Sequence, residues 1–262
     1  MKTWLITVSL IITLAASAQD WAKAKLEKSP RHQEWVKVEN DKRKVESFVV
    51  YPEVKDKATA VIVIHEIYGL SDWARVAADE FAEAGYIAIA PDLLSGMAPN
   101  GGGTAELGGN VGKTISALPP DQITADLNAV IAYVSKLPAC NGKVVVAGFC
   151  WGGGQVFRFA TNNKDIKAAL SFYGSMPTDD AALARIACPV HGFYGENDAR
   201  INASIPKATE QMKQAGKTYE PVIYKGAGHG FMRAGEQPDA NAANKQARDD
   251  AWTRIRDILK KI

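Results

Sequence analysis

The sequence predicts an α/β protein: a mostly parallel, twisted sheet with helices on both faces and an antiparallel hairpin at its N-terminal end. Three observations carry that prediction. Six short apolar runs, at residues 60–64, 86–90, 143–147, 168–172, 190–194 and 220–224, have the near-continuous hydrophobicity of strands buried on both faces. Stretches of helical apolar periodicity lie between them, and strand alternating with helix gives parallel crossover connections. Ahead of the first run, residues 34–39 and 44–51 alternate apolar and polar around Asn40 and Asp41, the pattern of a hairpin with one face on a core.

The elements follow in chain order. Residues 1–18 read as an export signal, with Lys2, an apolar run from Trp4 to Ala15, and Ala16-Ser17-Ala18 at a cleavage site. The run is shorter than the roughly twenty residues a membrane anchor needs. The expectation is therefore a mature chain starting at Gln19, periplasmic or secreted, with no membrane contact. Residues 19–44 form a lead-in with a short helix over 20–28 and the first strand, and residues 45–262 form one main domain. Ser71 caps a helix that sets Trp73, Val76, Ala77, Phe81 and Ala84 on one face. Pro119-Pro120 opens a second, with Ile123, Leu127, Val130, Ile131 and Val134 aligned. A C-terminal helix aligns Ala247, Ala251, Trp252, Ile255, Ile258, Leu259 and Ile262. The glycine-rich segment 101–114 reads as a mobile loop over the site.

Composition narrows the function classes. The chain has 262 residues, 47% of them hydrophobic, enough for one sizeable domain. Lys and Arg total 31 against 29 Asp and Glu, a net charge of +2. No basic run concentrates that charge, so nucleic acid is not an expected partner. The expected protein is a monomer acting on a small molecule. Three cysteines supply neither a disulfide framework nor the paired spacings of a zinc site. All three are expected to be free thiols, with Cys140 and Cys188 packed at strand beginnings away from Cys150.

The chemistry concentrates after the strands. The run at 143–147 leads into Gly148-Phe149-Cys150-Trp151-Gly152-Gly153-Gly154 and then a helical segment, a G-x-C-x-G pattern in the strand-turn-helix context of a nucleophile elbow. The flanking glycines make room for a sharp turn, and the thiol meets a helix N-terminus, whose dipole favours a thiolate. The run at 190–194 ends in Gly195-Glu196-Asn197-Asp198, and that at 220–224 is followed by Gly226-Ala227-Gly228-His229-Gly230-Phe231. Nucleophile, acid and histidine in that chain order, each past a strand end, form the pattern of α/β-hydrolases. Of the four histidines, position selects His229 as the base.

Two other motifs are rejected. His65-Glu66 would open a zinc H-E-x-x-H motif only with histidine at position 69, which is Gly69. Gly112-Lys113-Thr114 would close a phosphate-binding loop only with glycine at position 107, which is Leu107, and with a strand before it.

The motifs Gly148 to Gly153, His65-Glu66-Ile67-Tyr68-Gly69, Gly195 to Asp198 and Gly228 to Phe231 closely resemble those of the dienelactone hydrolase family, over the chain from about Val45 to the C-terminus. The resemblance implies an α/β-hydrolase fold and hydrolysis of an enol-lactone through a Cys-His-Asp triad and a thioester acyl-enzyme, without metal or cofactor. Carried onto this sequence, Cys150 is the nucleophile, His229 the base and Asp198 the orienting acid. Glu66 is the carboxylate that meets the resting thiol. The backbone N–H groups of Ile67 and Trp151 form the oxyanion hole.

The resemblance also implies arginines on a substrate carboxylate. Arg233 matches one of them, but residues 93–119 contain no arginine and only Lys113 as a cation. Lysine pairs with a carboxylate without reproducing the bidentate fork, so the acid substrate is left open. Tyr68, Trp73 and Trp151 are candidates to line an acyl pocket. Two other readings remain at this level: a broad-specificity carboxylesterase or thioesterase on the same triad, and a catalytically silent secreted binding protein of the same fold.

Overall fold

The computed structural model describes residues 20–40 and 43–262. Its centre is one eight-stranded sheet in the order β1-β2-β4-β3-β5-β6-β7-β8. The strands are β1 (Gln33–Asn40), β2 (Arg43–Val50), β3 (Ala58–Ile64), β4 (Ile87–Pro91), β5 (Cys140–Phe149), β6 (Ala169–Phe172), β7 (Val190–Gly195) and β8 (Tyr219–Tyr224). The expected hairpin is present: β1 and β2 pair antiparallel from Gln33↔Val50 to Asn40↔Arg43. Residues 41 and 42 lie outside the described chain. β2 meets β4 antiparallel, and every later pairing is parallel.

Two apolar layers sandwich the sheet. Along β3 the side chains alternate strictly: Ala60, Ile62 and Ile64 enter one layer, Val61 and Val63 the other. All seven β3 residues are buried, which explains an unbroken apolar run in place of alternation. The first layer is closed by α5 (Pro120–Val134), through Ile123, Leu127, Val130 and Val134. The second is closed by α2 (Asp72–Glu83) and α11 (Ala242–Leu259), through Trp73, Val76, Phe81, Trp252 and Ile255. Ser71 caps α2 as expected, its side chain accepting from the Ala74 N–H.

The lead-in is continuous with the main domain. Its helix α1 (Asp20–Glu27) packs on α2, and β1 is the edge strand of the common sheet. One expectation needs correction: segment 101–114, expected as a loop, has secondary structure of its own from Thr104 on. It folds into α3 (Thr104–Leu107), a 3₁₀ turn at Gly108–Asn110, and α4 (Val111–Ser116). Leu107, Ile115 and Leu118 anchor it in the first layer. Glycine count was a poor guide because three well-spaced apolar residues suffice to tether a short segment.

The lead-in is held by charge as well as packing. Lys25 Nζ on α1 donates to Glu80 Oε1 at 2.7 Å and to Glu236 Oε1 at 2.5 Å. Arg248 on α11 bonds the same Glu80 carboxylate, and Trp73 Nε1 donates to Glu236 Oε2 at 3.0 Å. Burial and the neighbouring Glu236 push the Glu80 carboxyl up to about 7, against the pull of Arg248 and Lys25. Removing Lys25 leaves two buried carboxylates sharing one cation. Lys25→Ala should therefore cost about 1–2 kcal/mol in urea unfolding, less than for a fully buried pair because Lys25 is partly solvated and Arg248 stays. A raised carboxyl pKa contributes stability below its unfolded value of 4.5 that is lost as pH rises through about 7. The deficit of the variant should accordingly be larger at pH 8 than at pH 5.

Candidate active site

In a parallel α/β sheet the ligand crevice lies at the carboxyl ends of the strands, where the winding reverses. Here β4 lies on one side of β3 and β5 on the other, so the reversal lies between the segments that follow β3 and β5. Those segments carry Glu66-Ile67-Tyr68 and Cys150.

The elbow is built by close backbone approach. Cys150 adopts φ 54°, ψ −114°, a left-handed conformation that non-glycine residues adopt at a cost of about 1–3 kcal/mol. Its N–H continues the parallel ladder to the Phe172 carbonyl at 3.0 Å, while α6 (Trp151–Ala160) begins at the next residue. A Cβ on Gly148 would stand 2.5 Å from the Gly152 carbonyl oxygen, and one on Gly152 would stand 2.4 Å from the Ile64 and His65 oxygens. The glycines are therefore required by the crossing of β3, β5 and α6.

Three expected residues converge. Asp198, buried just past β7, faces His229 Nδ1 through Oδ2 at 2.5 Å. His229 Nε2 lies 3.2 Å from Cys150 Sγ. The hydrogen bond to Cys150 and the bond and charge of Asp198 push the imidazole up to about 9, against partial burial. Trp151 is the first residue of α6, so its N–H has no partner within the helix. The Ile67 N–H has no hydrogen-bond partner in the described chain.

Glu66 departs from expectation. The thiol is hydrogen-bonded to His229, not to Glu66. Glu66, almost fully buried, instead accepts from Arg233 Nε at 2.8 Å. Burial raises its carboxyl pKa, and the guanidinium offsets part of that rise. A carboxylate enclosed this deeply needs a cation. Arg233 is the one in contact, through its Nε. Its guanidinium also lies over the Tyr68 ring, 5.3 Å from the centroid. Its terminal nitrogens donate no hydrogen bond among the described residues.

The remaining expected lining residues divide. Tyr68 is exposed beside Arg233, and Trp151 is half-buried at the elbow. Trp73 is a core residue, edge-on to Phe149 at 5.0 Å, because its helix face points at the sheet. Lys113 is exposed on α4 and makes no hydrogen bond or ion pair in the described chain. Cys140 and Cys188 are buried and, like Cys150, free.

One residue escaped the sequence reading. Tyr173, directly after β6, is fully buried at φ 40° and meets the His229 ring edge-on at 5.1 Å. Its hydroxyl has no partner of hydrogen-bonding geometry, although Glu66 is close enough to be felt electrostatically. The strained tyrosine at a strand end, followed by Gly174, was the available signal. Gly174 has no room for a Cβ, which would stand 2.2 Å from Gly153. Among the described residues no group of three or more His, Cys, Asp or Glu is placed to hold a metal ion, and no helix is long and apolar enough to cross a membrane.

Comparison with known proteins places this geometry in context. The chain is 31% identical over 208 residues to a "Putative carboxymethylenebutenolidase" of Methylorubrum extorquens, covering 75% of this chain and 70% of that protein. It is 30% identical over 212 residues to one of the same name from Escherichia coli K12, covering 76% of each. Among solved structures, a "Putative Dienelactone Hydrolase" from Klebsiella pneumoniae superposes with a TM-score of 0.77 at 24% identity, covering 88% of this chain and 99% of that one. A "Dienelactone Hydrolase-like Promiscuous Phospotriesterase" from metagenomic libraries gives 0.75 at 20%, covering 88% and 98%. Both are likenesses of fold, the α/β-hydrolase fold expected from the sequence. The model of the dienelactone hydrolase family matches residues 45–262, and with the curated relatives this establishes that the chain belongs to the dienelactone hydrolase family and is an ester hydrolase of that type.

Proposed function

We propose that the chain hydrolyses an enol-lactone or related carboxylic ester through a Cys150-His229-Asp198 triad and a thioester acyl-enzyme. The observation carrying this reading is the continuous line Asp198 Oδ2 to His229 Nδ1 to Cys150 Sγ, 2.5 Å and then 3.2 Å, at the strained elbow. Sulfur attacks the carbonyl carbon as its proton passes to His229 Nε2, and the carbonyl oxygen takes the negative charge facing the Ile67 and Trp151 N–H groups. Collapse breaks the ester C–O bond, and the imidazolium returns the proton to the leaving oxygen. Water then attacks the thioester with His229 as base, releasing the acid and restoring the thiol.

The test is interception of the acyl-enzyme. A slow-turnover aryl ester should add one acyl mass to the peptide containing Cys150, and hydroxylamine should remove it. Turnover with no mass on that peptide, or none suppressed by prior thiol alkylation, overturns the covalent reading. A thioesterase or broad carboxylesterase would show the same adduct and differ only in which acyl donors compete. A silent binding protein would show neither adduct nor turnover.

Substrate charge is a separate matter. The free terminal nitrogens of Arg233 support binding of an acidic group beside Tyr68, with Glu66 already on Nε. Lys113 has no such support. Arg233→Ala should raise KM for an acidic lactone about tenfold more than for its neutral ester, in line with one charge-assisted hydrogen bond. Equal losses for both would assign Arg233 to holding Glu66 alone.

We further propose that the enzyme is a monomer exported after cleavage at Ala18. The pattern of residues 1–18 supports export, and those residues lie outside the described chain. A secreted product starting at Gln19 and running as a monomer in size-exclusion chromatography is expected. A cytoplasmic product retaining Met1 to Ala18 contradicts export, and a dimer contradicts the assembly state.

A further inference from the structure

His65 ends the run that enters the site and takes no part in the steps above, yet it is fully buried against both halves of the oxyanion hole. Its Nδ1 lies 2.9 Å from the Glu66 carbonyl oxygen. A carbonyl only accepts, so Nδ1 carries the hydrogen, which fixes the tautomer. In the neutral ring the lone pair is then on Nε2, which is buried without a partner. Burial lowers the imidazole pKa against the pull of Asp92, keeping the ring neutral.

The same carbonyl accepts the Gly69 N–H at 3.1 Å, closing the turn. Within one planar trans peptide the C=O and N–H point to opposite sides. Two donors on the Glu66 oxygen therefore aim the Ile67 N–H away from them, and that N–H has no acceptor of its own in the described chain. A single neutral hydrogen bond adds little net stability, a weak hold on the orientation of a turn peptide. The second donor roughly doubles it.

The other face of the ring reaches the second half of the hole. The imidazole stacks on the Trp151 indole, centroids 5.5 Å apart and planes 13° apart. The backbone of Ile64 and His65 presses against Gly152, where no Cβ fits. One side chain thus bonds the peptide that carries the Ile67 donor and packs on the residue that carries the Trp151 donor.

We propose that His65 is a positioning residue of the oxyanion hole, its Nδ1–H holding the Glu66–Ile67 peptide in the donating orientation. This rests on the hydrolytic reading above. His65→Phe keeps the ring and its stack but removes the donor. His65→Asn returns an amide N–H close to the Nδ1 position, and His65→Gln carries the same amide one methylene farther out.

With an activated aryl ester, His65→Phe and His65→Gln should lose about 10- to 100-fold in kcat with KM within about twofold, below the 10²–10³ typical for deleting an oxyanion donor outright. His65→Asn should recover most of that loss. The rate at which iodoacetamide alkylates Cys150 should stay at the wild-type value in all three, because alkylation develops no oxyanion. Wild-type kcat in His65→Phe, His65→Asn no better than His65→Gln, or alkylation falling in step with kcat would each overturn the proposal. The Asn and Gln pair decides the matter even if His65→Phe does not fold. Failure of the underlying reading looks different: wild type and Cys150→Ala would then turn over the ester equally.

Discussion

Cys150→Ala is expected to lose at least about 10⁴-fold in kcat/KM toward esters and lactones, since removing the nucleophile of a triad leaves only binding and oxyanion stabilisation. Folding should survive. The Cys150 side chain is half-buried at the site and not a core residue, and alanine at φ 54° bears the same backbone strain as cysteine. Thermal unfolding of the variant should match that of wild type within about 2 °C. Cys150→Gly, which adopts the left-handed conformation without a Cβ clash, should be equally inactive and at least as stable as the alanine variant. Parallel loss of activity and stability in both would mean that the residue holds the elbow together and that catalysis lies elsewhere. Residual turnover within about a hundredfold of wild type would leave no place for a covalent intermediate.

The sheet was legible because its signals are local. Continuous apolar runs such as that of β3 arise where both faces are covered, and the amphipathic faces of α2, α5 and α11 arise where one is. The Cys150, Asp198 and His229 positions were legible for a related reason. Strand ends place their next few residues at one rim of a parallel sheet, so chain order is enough to assemble them. Pairing across the rim is another matter. Sequence distinguishes neither Glu66 meeting a thiol from Glu66 meeting Arg233, nor an arginine free for substrate from one engaged within the protein. Those outcomes depend on which cation lies nearest a buried carboxylate, a contact between residues 167 positions apart. Tyr173 leaves no motif, and the His65-Glu66 motif does not show what His65 does: both roles rest on burial and, for His65, on the direction of a peptide bond.

Asp198→Asn should lower kcat by about 10²–10⁴-fold while leaving Cys150 and His229 in place, because the amide preserves shape and removes the charge that holds the imidazole in its working tautomer. The pH dependence makes the test specific. His229 is pushed up to about 9 first by its hydrogen bond to Cys150, against burial, and then by the bond and charge of Asp198. Taking away the carboxylate removes the latter two, so the imidazolium should lose its proton at lower pH and the acid limb of kcat/KM, where protonation removes the base, should move toward neutrality. Stability follows the same sign. A raised histidine pKa contributes stability that is full below about pH 6.5 and is lost as pH rises through about 9. The variant should therefore be most destabilised relative to wild type near pH 6, with the two converging near pH 10. An acid limb that stays in place, with a stability deficit equal at both pH values, would make Asp198 a helix cap for Ala199–Asn202 and nothing more. Its Oδ1 lies 3.5 Å from the Ile201 N–H, at the limit of a hydrogen bond and a weak cap. The 2.5 Å approach of Oδ2 to His229 Nδ1 is the stronger contact, which is why the shift of the limb is the expected result.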